Sequence, residues 1–316
     1  MDNNSSEFLW VEKYRPKRIA DCILPEDIKS SFSEFISNGD MPNLLLAGTA
    51  GTGKTTVAKA LCAELGYTTL IVNGSLDRNI DTLRNEIASF ASTVAFDGGK
   101  KCIILDEADY LNPQSFQPAL RGFIEQFSKN VRFILTCNYK DKIIEPIHSR
   151  TTYIDFRSSK KELPEIMGGL MKRVLGILET EEVQVKSPQI VAEVIKKHHP
   201  DIRRILNELQ RYSAGGVIDE GILANVGDTD VESLMSYLKD KDFGKMRQWV
   251  VDNIDADAVA IFRVIYDNMH QYLHPSSIPQ VVLLIGEYQY KQAFVQDREI
   301  NLVAFLTEIM VEAEWN

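Results

Sequence analysis

The sequence predicts an α/β core built on a parallel sheet, then a helical lid, then a C-terminal all-α region. Three observations predict it. Between Met41 and about Phe156, short β-rich runs alternate with helical stretches. A glycine cluster, Gly48 to Thr55, interrupts the chain directly after the first apolar run. Beyond "RSSKKE" the β-rich runs stop and helical stretches continue to the C-terminus. Strands that alternate with helices form parallel sheets covered on both faces.

In chain order, "NLLLAG", "TTLIVNGS", "KCIILDEAD", "VRFILTCN" and "TTYIDF" read as strands, each a short β-rich run ending in turn or polar residues. Helices are expected between them over Thr55–Leu65, Ile80–Ala95 and Gln114–Phe127. The next part holds Leu163–Glu179, Ser187–His198 and "DIRRILNELQRY", the last stopped by Gly215 and Gly216. Past "GDTD" the helices are Val231–Lys239, Phe243–Val251, Ala256–Leu273, Ser276–Tyr290 and Asn301–Glu314. The expected domains are therefore 1–157, 158–226 and 227–316. No internal repeat or low-complexity segment is present.

The chain has 316 residues, of which 44% are hydrophobic and 25% charged, a globular balance. No apolar run approaches the ~18 residues of a membrane span. The polar, acidic start carries no basic-then-apolar leader pattern, so a soluble, cytoplasmic protein is expected. Cys22, Cys62, Cys102 and Cys137 are scattered without a C-x-x-C pair and read as reduced structural thiols. The five histidines, His198 and His199 included, lack metal spacing. With 45 acids against 35 bases the net charge is −10. That excludes a uniformly basic nucleic-acid binder but leaves room for a local basic strip.

"GTAGTGKT" fits G-x-x-x-x-G-K-[ST], following an apolar strand and opening a helix. Main-chain N–H groups of Gly51, Thr52 and Gly53, and of the first helical turn through Thr56, would converge on phosphate oxygens at a positive helix end. Lys54 would neutralise the β- and γ-phosphates, and the Thr55 hydroxyl would ligate Mg²⁺. "CIILDEAD" ends a buried strand in Asp106 and Glu107, adjacent carboxylates that face different ways. Asp106 suits the metal's hydration shell and Glu107 suits orienting and deprotonating an attacking water. Asn138 closes the next strand, within reach of the γ-phosphate or that water.

Several stretches together resemble the clamp-loader branch of the AAA+ ATPases, the family of replication factor C small subunits and their bacteriophage large-subunit counterparts. "WVEKYRPKRIADCI" resembles the segment whose backbone and apolar side chains hold adenine in that family; the resemblance carries this role to Val11, Glu12, Lys13 and Tyr14, with Ile23 closing the base pocket. "CIILDEADYLNPQSFQPALRGFIE" resembles its acid box and following helix, and "ILTCNYKDKIIEPIHSR" its sensor strand and S-R-C motif. Here that motif reads Ser149-Arg150-Thr151; Arg150 would be the finger that reaches a neighbouring subunit's ATP. "PDIRRILNEL" resembles the lid helix, with Arg203 rather than Arg204 on the γ-phosphate. "GSLDRNIDTLRNEIASFAS" resembles the segment that faces DNA, which implies phosphate contacts for Arg78 and Arg84. Gln117 and Arg121, one helical turn apart, are expected on one face, linking the catalytic acid to DNA and to the next subunit. Tyr110, Leu111 and Phe116 form either an exposed tip for the clamp or part of the core.

The resemblance implies an AAA+ core, a lid and an oligomerising collar. It also implies ATP and Mg²⁺, copies of this chain and a distinct small subunit in a pentamer-like spiral, a ring-shaped sliding clamp and primer–template DNA. A finger supplied in trans implies an isolated subunit that hydrolyses ATP poorly. The same motifs also suit another AAA+ DNA motor, such as a branch-migration helicase or helicase loader, or a non-hydrolysing ATP-binding scaffold.

Overall fold

Leu44–Ala47 (β1) is buried at every position. So is nearly all of Lys101–Asp106 (β3) and Val131–Cys137 (β4). Continuous apolar runs of this kind suit central strands of a parallel sheet, which are covered on both sides. In the computed structural model, residues 8–75, 80–93, 99–219, 222, 231–253, 258–292 and 294–316 are described. The chain divides into two units, Met1–Leu223 and Ala224–Asn316.

In the first unit, Thr68–Asn73 (β2) and Thr152–Asp155 (β5) complete a five-stranded sheet in the order β2-β3-β4-β1-β5. Every pairing is parallel. Successive side chains on a strand point to opposite faces. Leu45, Ala47, Ile103, Leu105, Phe133 and Leu135 accordingly join one core with Ile87, Leu120 and Ile124. Leu44, Leu46, Cys102, Ile104 and Ile134 join the other with Phe32, Val57 and Leu61. Those partners come from Ile80–Ser92 (α4) and Phe116–Gln126 (α5) on one side, and from Glu26–Asn38 (α2) and Lys54–Glu64 (α3) on the other. Trp10–Lys13 forms a single turn, α1, and Glu145–His148 forms α6. Lys101 is buried without strain because its ammonium meets Phe90 O at 2.8 Å and Thr93 Oγ1 at 2.7 Å, where the carbonyls ending α4 favour a cation.

The lid part of this unit holds Leu163–Thr180 (α7), Pro188–His198 (α8) and Ile202–Tyr212 (α9). Ser187 and Asp201 cap the latter two by accepting from Gln189 N–H and Arg204 N–H. Gln184–Val185 (β6) and Val217–Ile218 (β7) pair as a parallel ribbon, too short to leave a period in the sequence.

Two helix starts shift for local reasons. The carboxamide oxygen of Asn112 accepts from the N–H groups of Gln114 and Ser115, so "NPQS" is a turn and α5 begins at Phe116 instead of Gln114. Asp297 caps the last helix by accepting from Ile300 N–H, so it begins at Arg298 rather than Asn301.

The second unit packs helices Val231–Lys239, Phe243–Asp252, Ala258–Tyr272, Ile278–Gln292 and Arg298–Glu312 around Trp249, Phe262, Phe305 and Leu306. Phe262 and Phe305 meet edge to face at 4.8 Å between centroids. Among the described residues, no helix is long and apolar enough to cross a membrane. The four cysteines are buried and free.

Candidate functional site

Parallel register sets the site. Ala47 lies level with Cys137, and Leu105 with Leu135, so the chain leaves β1, β3 and β4 at one edge. In open α/β sheets that carboxyl edge is where ligands bind. An open cleft lies there, about 1100 Å³ when the adjoining open solvent is included.

The loop from Gly48 needs its glycines at identifiable points. A Cβ on Gly48 would lie 2.8 Å from that of Phe156, so the loop leaves β1 under the end of β5. Gly51 and Gly53 have φ of 74° and 88°, and α3 starts at the next residue, Lys54. Gly51 has a second constraint: a Cβ would fall 1.8 Å from Asp201 Oδ1, and its carbonyl accepts from Ile202 N–H at 3.1 Å. The first turn of α9 thus sits directly on the loop. Lys54, only 8% exposed, donates to Gly48 O and Thr49 O at 2.8 Å each and to Asn138 Oδ1 at 2.9 Å. Burial pulls its pKa below the ordinary lysine value, opposed by the fields of Cys137, Asp106 and Asp109.

Thr55 and Thr136 both donate to Asp106 Oδ1 at 2.6 Å. The Thr136 hydroxyl in turn accepts from Glu107 N–H at 3.0 Å. Glu107 adopts φ of 54°, a left-handed conformation unusual for a non-glycine, and lines the cleft. Asp106 and Glu107 therefore leave the strand end in different directions. The turn is accommodated by Gly74, whose added Cβ would meet Glu107 O at 2.7 Å. Asp109 Oδ2 accepts from the N–H groups of Asn138 and Tyr139 at 3.3 Å, bracing the acid box against the end of β4. Neither Gly74 nor Asp109 was singled out by sequence, because each acts on main chain contributed by another strand.

Thr52, Gly53, Lys54, Thr55, Thr56, Asp106, Glu107 and Asn138 line the cleft, as does Gly51. From the lid come Arg203, Ile202 and Leu206, while Arg204 is not among the lining residues. From the N-terminal segment come Val11, Tyr14 and Ile23, together with Arg15, Pro16, Cys22 and Leu24, which sequence reasoning missed. Glu12 and Lys13 depart from expectation. Lys13 Nζ bonds Glu181 Oε1 at 2.6 Å and Glu12 pairs with Arg15. In a one-turn helix Val11 and Tyr14, three apart, share a face that Glu12 and Lys13 leave.

Other expected residues lie apart. Arg150 does not line its own cleft; its guanidinium holds Glu125 Oε1 at 2.8 Å through Nε and donates to Pro146 O at 2.8 Å. The shared face of Gln117 and Arg121 is not realised. Gln117 is 1% exposed and saturated by main chain, donating to Leu111 O and Lys142 O and accepting from Ile144 N–H. It sits in the first turn of α5, where adjoining loops cover the helix; Arg121, one turn on, is exposed beside Glu125. Arg84 Nη2 donates to Ser115 O at 3.3 Å, and Arg78 lies outside the described residues. Leu111 and Phe116 belong to the core, leaving Tyr110 alone exposed at 59%.

Sheet order, phosphate-type loop and acid pair define a P-loop core of the AAA class. Residues 44–158 match the ATPase family associated with various cellular activities (AAA), and residues 162–224 match the lid described as sliding-clamp-loader large subunit, AAA+ ATPase lid domain. The chain is 33% identical to the sliding-clamp-loader large subunit of Enterobacteria phage T4, over 99% of this chain and 98% of that one. It is 34% identical to the replication factor C small subunit of Thermofilum pendens, over 96% and 97% respectively. The chain belongs to this clamp-loader family of AAA+ ATPases. Among solved structures, the Thermotoga maritima RuvB Holliday junction branch migration motor aligns with a TM-score of 0.52 at 21% identity, over 71% of this chain and 78% of that one. At that identity the likeness concerns the fold.

Proposed function

We propose that this chain is an ATP-hydrolysing subunit of a loader that opens a ring-shaped sliding clamp and sets it on primer–template DNA. One observation carries the reading: Lys54, Thr55, Asp106, Glu107, Asn138 and Arg203 share one cleft, whereas Arg150 is held on a loop outside it. Such a site binds its substrate alone and needs an adjoining copy to finish the reaction.

The donor set fits Mg²⁺·ATP. Thr55 and Asp106 already touch and offer two hard oxygens, and among the described residues no group of three or more His, Cys, Asp or Glu is arranged to hold a metal ion by itself. A metal here would complete its shell with phosphate and water, as Mg²⁺ does. When bound, Mg²⁺ neutralises charge on the β- and γ-phosphates. N–H groups from Gly51 to Thr56 and the Lys54 ammonium bind the triphosphate, Arg203 reaches the γ-phosphate from the lid, and Val11, Tyr14 and Ile23 flank adenine. Glu107 takes a proton from water as its oxygen attacks the γ-phosphorus, with Asn138 positioning that water. The bond to the bridging oxygen breaks, leaving ADP and phosphate. Arg150 of the neighbouring copy stabilises charge in the transition state.

ATP binding draws copies of this chain and a distinct small subunit into a spiral that opens the clamp and grips DNA, and that hydrolysis then releases the loaded clamp. Arg84 and Arg121 remain candidates for phosphate contacts; buried Gln117 would act only through the loops it holds. The test is steady-state ATPase of the chain with and without partner subunit, candidate clamp and primed DNA. Strong joint stimulation is expected, with Arg150→Ala lowering turnover of the assembled complex by at least about 10³-fold. Stimulation by DNA alone accompanied by strand unwinding would instead indicate a branch-migration type of motor. Absence of turnover under every combination would leave a scaffold.

A further inference from the structure

The segment from Phe8 to Leu24 walls the apolar end of the cleft, and side chains from the lid hold it there. Gln210 on α9 accepts from Trp10 N–H at 2.9 Å and donates to Phe8 O at 2.6 Å, so one carboxamide pairs with this main chain as a neighbouring strand would. Glu181, at the end of α7, takes Lys13 Nζ and the Tyr14 hydroxyl. Arg173, within α7, donates from Nη1 to Asp21 O at 3.0 Å and from Nη2 to Tyr14 O. Its planar fork bridges carbonyls at both ends of the turn that carries Arg15 and Pro16, and the side chain itself lines the cleft. Tyr14, Cys22, Ile23 and Leu206 line the cleft with it, well suited to a flat aromatic base.

Resting on the nucleotide-site reading above, we propose that Arg173 is a positioning residue for the nucleoside half of the substrate. It locks the N-terminal strap to the lid, so that the base slot forms only when the two are docked. The triphosphate is gripped by other residues, those of the phosphate loop and Arg203. The Ile202 N–H bond to Gly51 O keeps α9 on that loop without the strap. Affinity for the base and affinity for the phosphates are thus set by separate parts of the cleft. Nucleoside binding and docking of the strap onto the lid become one event, and Gln210 supports it from α9.

The experiment is titration calorimetry on the full chain with ATPγS and, separately, with inorganic tripolyphosphate. Arg173→Met should bind ATPγS roughly tenfold or more weakly, as expected when charge-assisted bonds to half-buried main chain are lost. Its tripolyphosphate affinity should be unchanged. Arg173→Lys keeps the charge but not the fork and should be intermediate, and Gln210→Leu should repeat the pattern more weakly. In the assembled complex Arg173→Met should raise KM for ATP and leave kcat intact. Equal weakening of both ligands, or unaltered ATPγS binding in Arg173→Met and Gln210→Leu, overturns the proposal while the nucleotide-site reading stands. A wild-type chain that binds neither ligand removes that reading itself.

Discussion

Glu107 shows how a single residue is committed by its backbone. Its positive φ and its N–H bond to the Thr136 hydroxyl turn the carboxylate away from Asp106 and into the cleft. Such a conformation persists only where its surroundings over-determine it. If Glu107 is the base proposed above, Glu107→Gln, which keeps the shape, should spare nucleotide binding while single-turnover hydrolysis in the assembled complex falls by about 10²–10⁴-fold. Asp40, at the opposite edge of the sheet, serves stability. Burial would raise its pKa, but Lys100, Tyr67 and Arg132 side chains and the Met41 N–H outweigh that and hold it well below the usual carboxylate range. A depressed folded pKa contributes stability above the unfolded value, about 3.9, and loses it as pH falls through the folded one. Asp40→Asn should therefore lower Tm at pH 7, and its gap from wild type should narrow in melts taken progressively below pH ~4.

At the scale of elements, α5 and the loops around it form a joint. Gln117 ties the first turn of α5 to Leu111 on the acid-box side and to Lys142 and Ile144 beyond β4. Gln117→Leu would strand three main-chain groups, and urea unfolding should show a loss of about 3 kcal/mol. Arg121→Ala, on the same helix but exposed and paired at 3.6 Å with Glu125, should change stability by less than about 0.5 kcal/mol. The contrast separates a joint from a surface and would fail if both variants behaved alike. Helix starts teach a related lesson. Gln114 suits a helix on paper, yet the Asn112 carboxamide satisfies its N–H and that of Ser115 first, and the helix waits for Phe116.

Across the whole molecule, the finger reading requires contact between copies, and exposed apolar residues of the second unit are a candidate surface for it. Leu283 and Tyr290 lie seven residues apart on helix Ile278–Gln292 and are 69% and 71% exposed; Phe294 follows, its ring 5.1 Å from that of Tyr290. Exposed apolar side chains on one helix are where contact between copies is tested first. The double change Leu283→Asp, Tyr290→Asp should leave circular dichroism and nucleotide binding unaltered. Mixed with the partner subunit, it should shift the complex to smaller species in sedimentation velocity. Unchanged sedimentation would assign assembly to another face.

Local pattern alone made much of this protein legible. Alternation of β-rich and helical runs named the five strands, and strand geometry sends Leu44 and Leu45 to opposite faces. The glycine loop, the acid pair and Asn138 were readable because their spacing is sequential and each ends a strand. Folding alone settled which distant groups meet. Gln117 is buried, Gly51 is pressed by Asp201, and the strap is held by Arg173, Glu181 and Gln210; Arg203, which the resemblance already favoured over Arg204, lines the cleft. Periodicity tells a side chain which way to face; only the packed chain brings a partner 159 or 200 residues away to the same place.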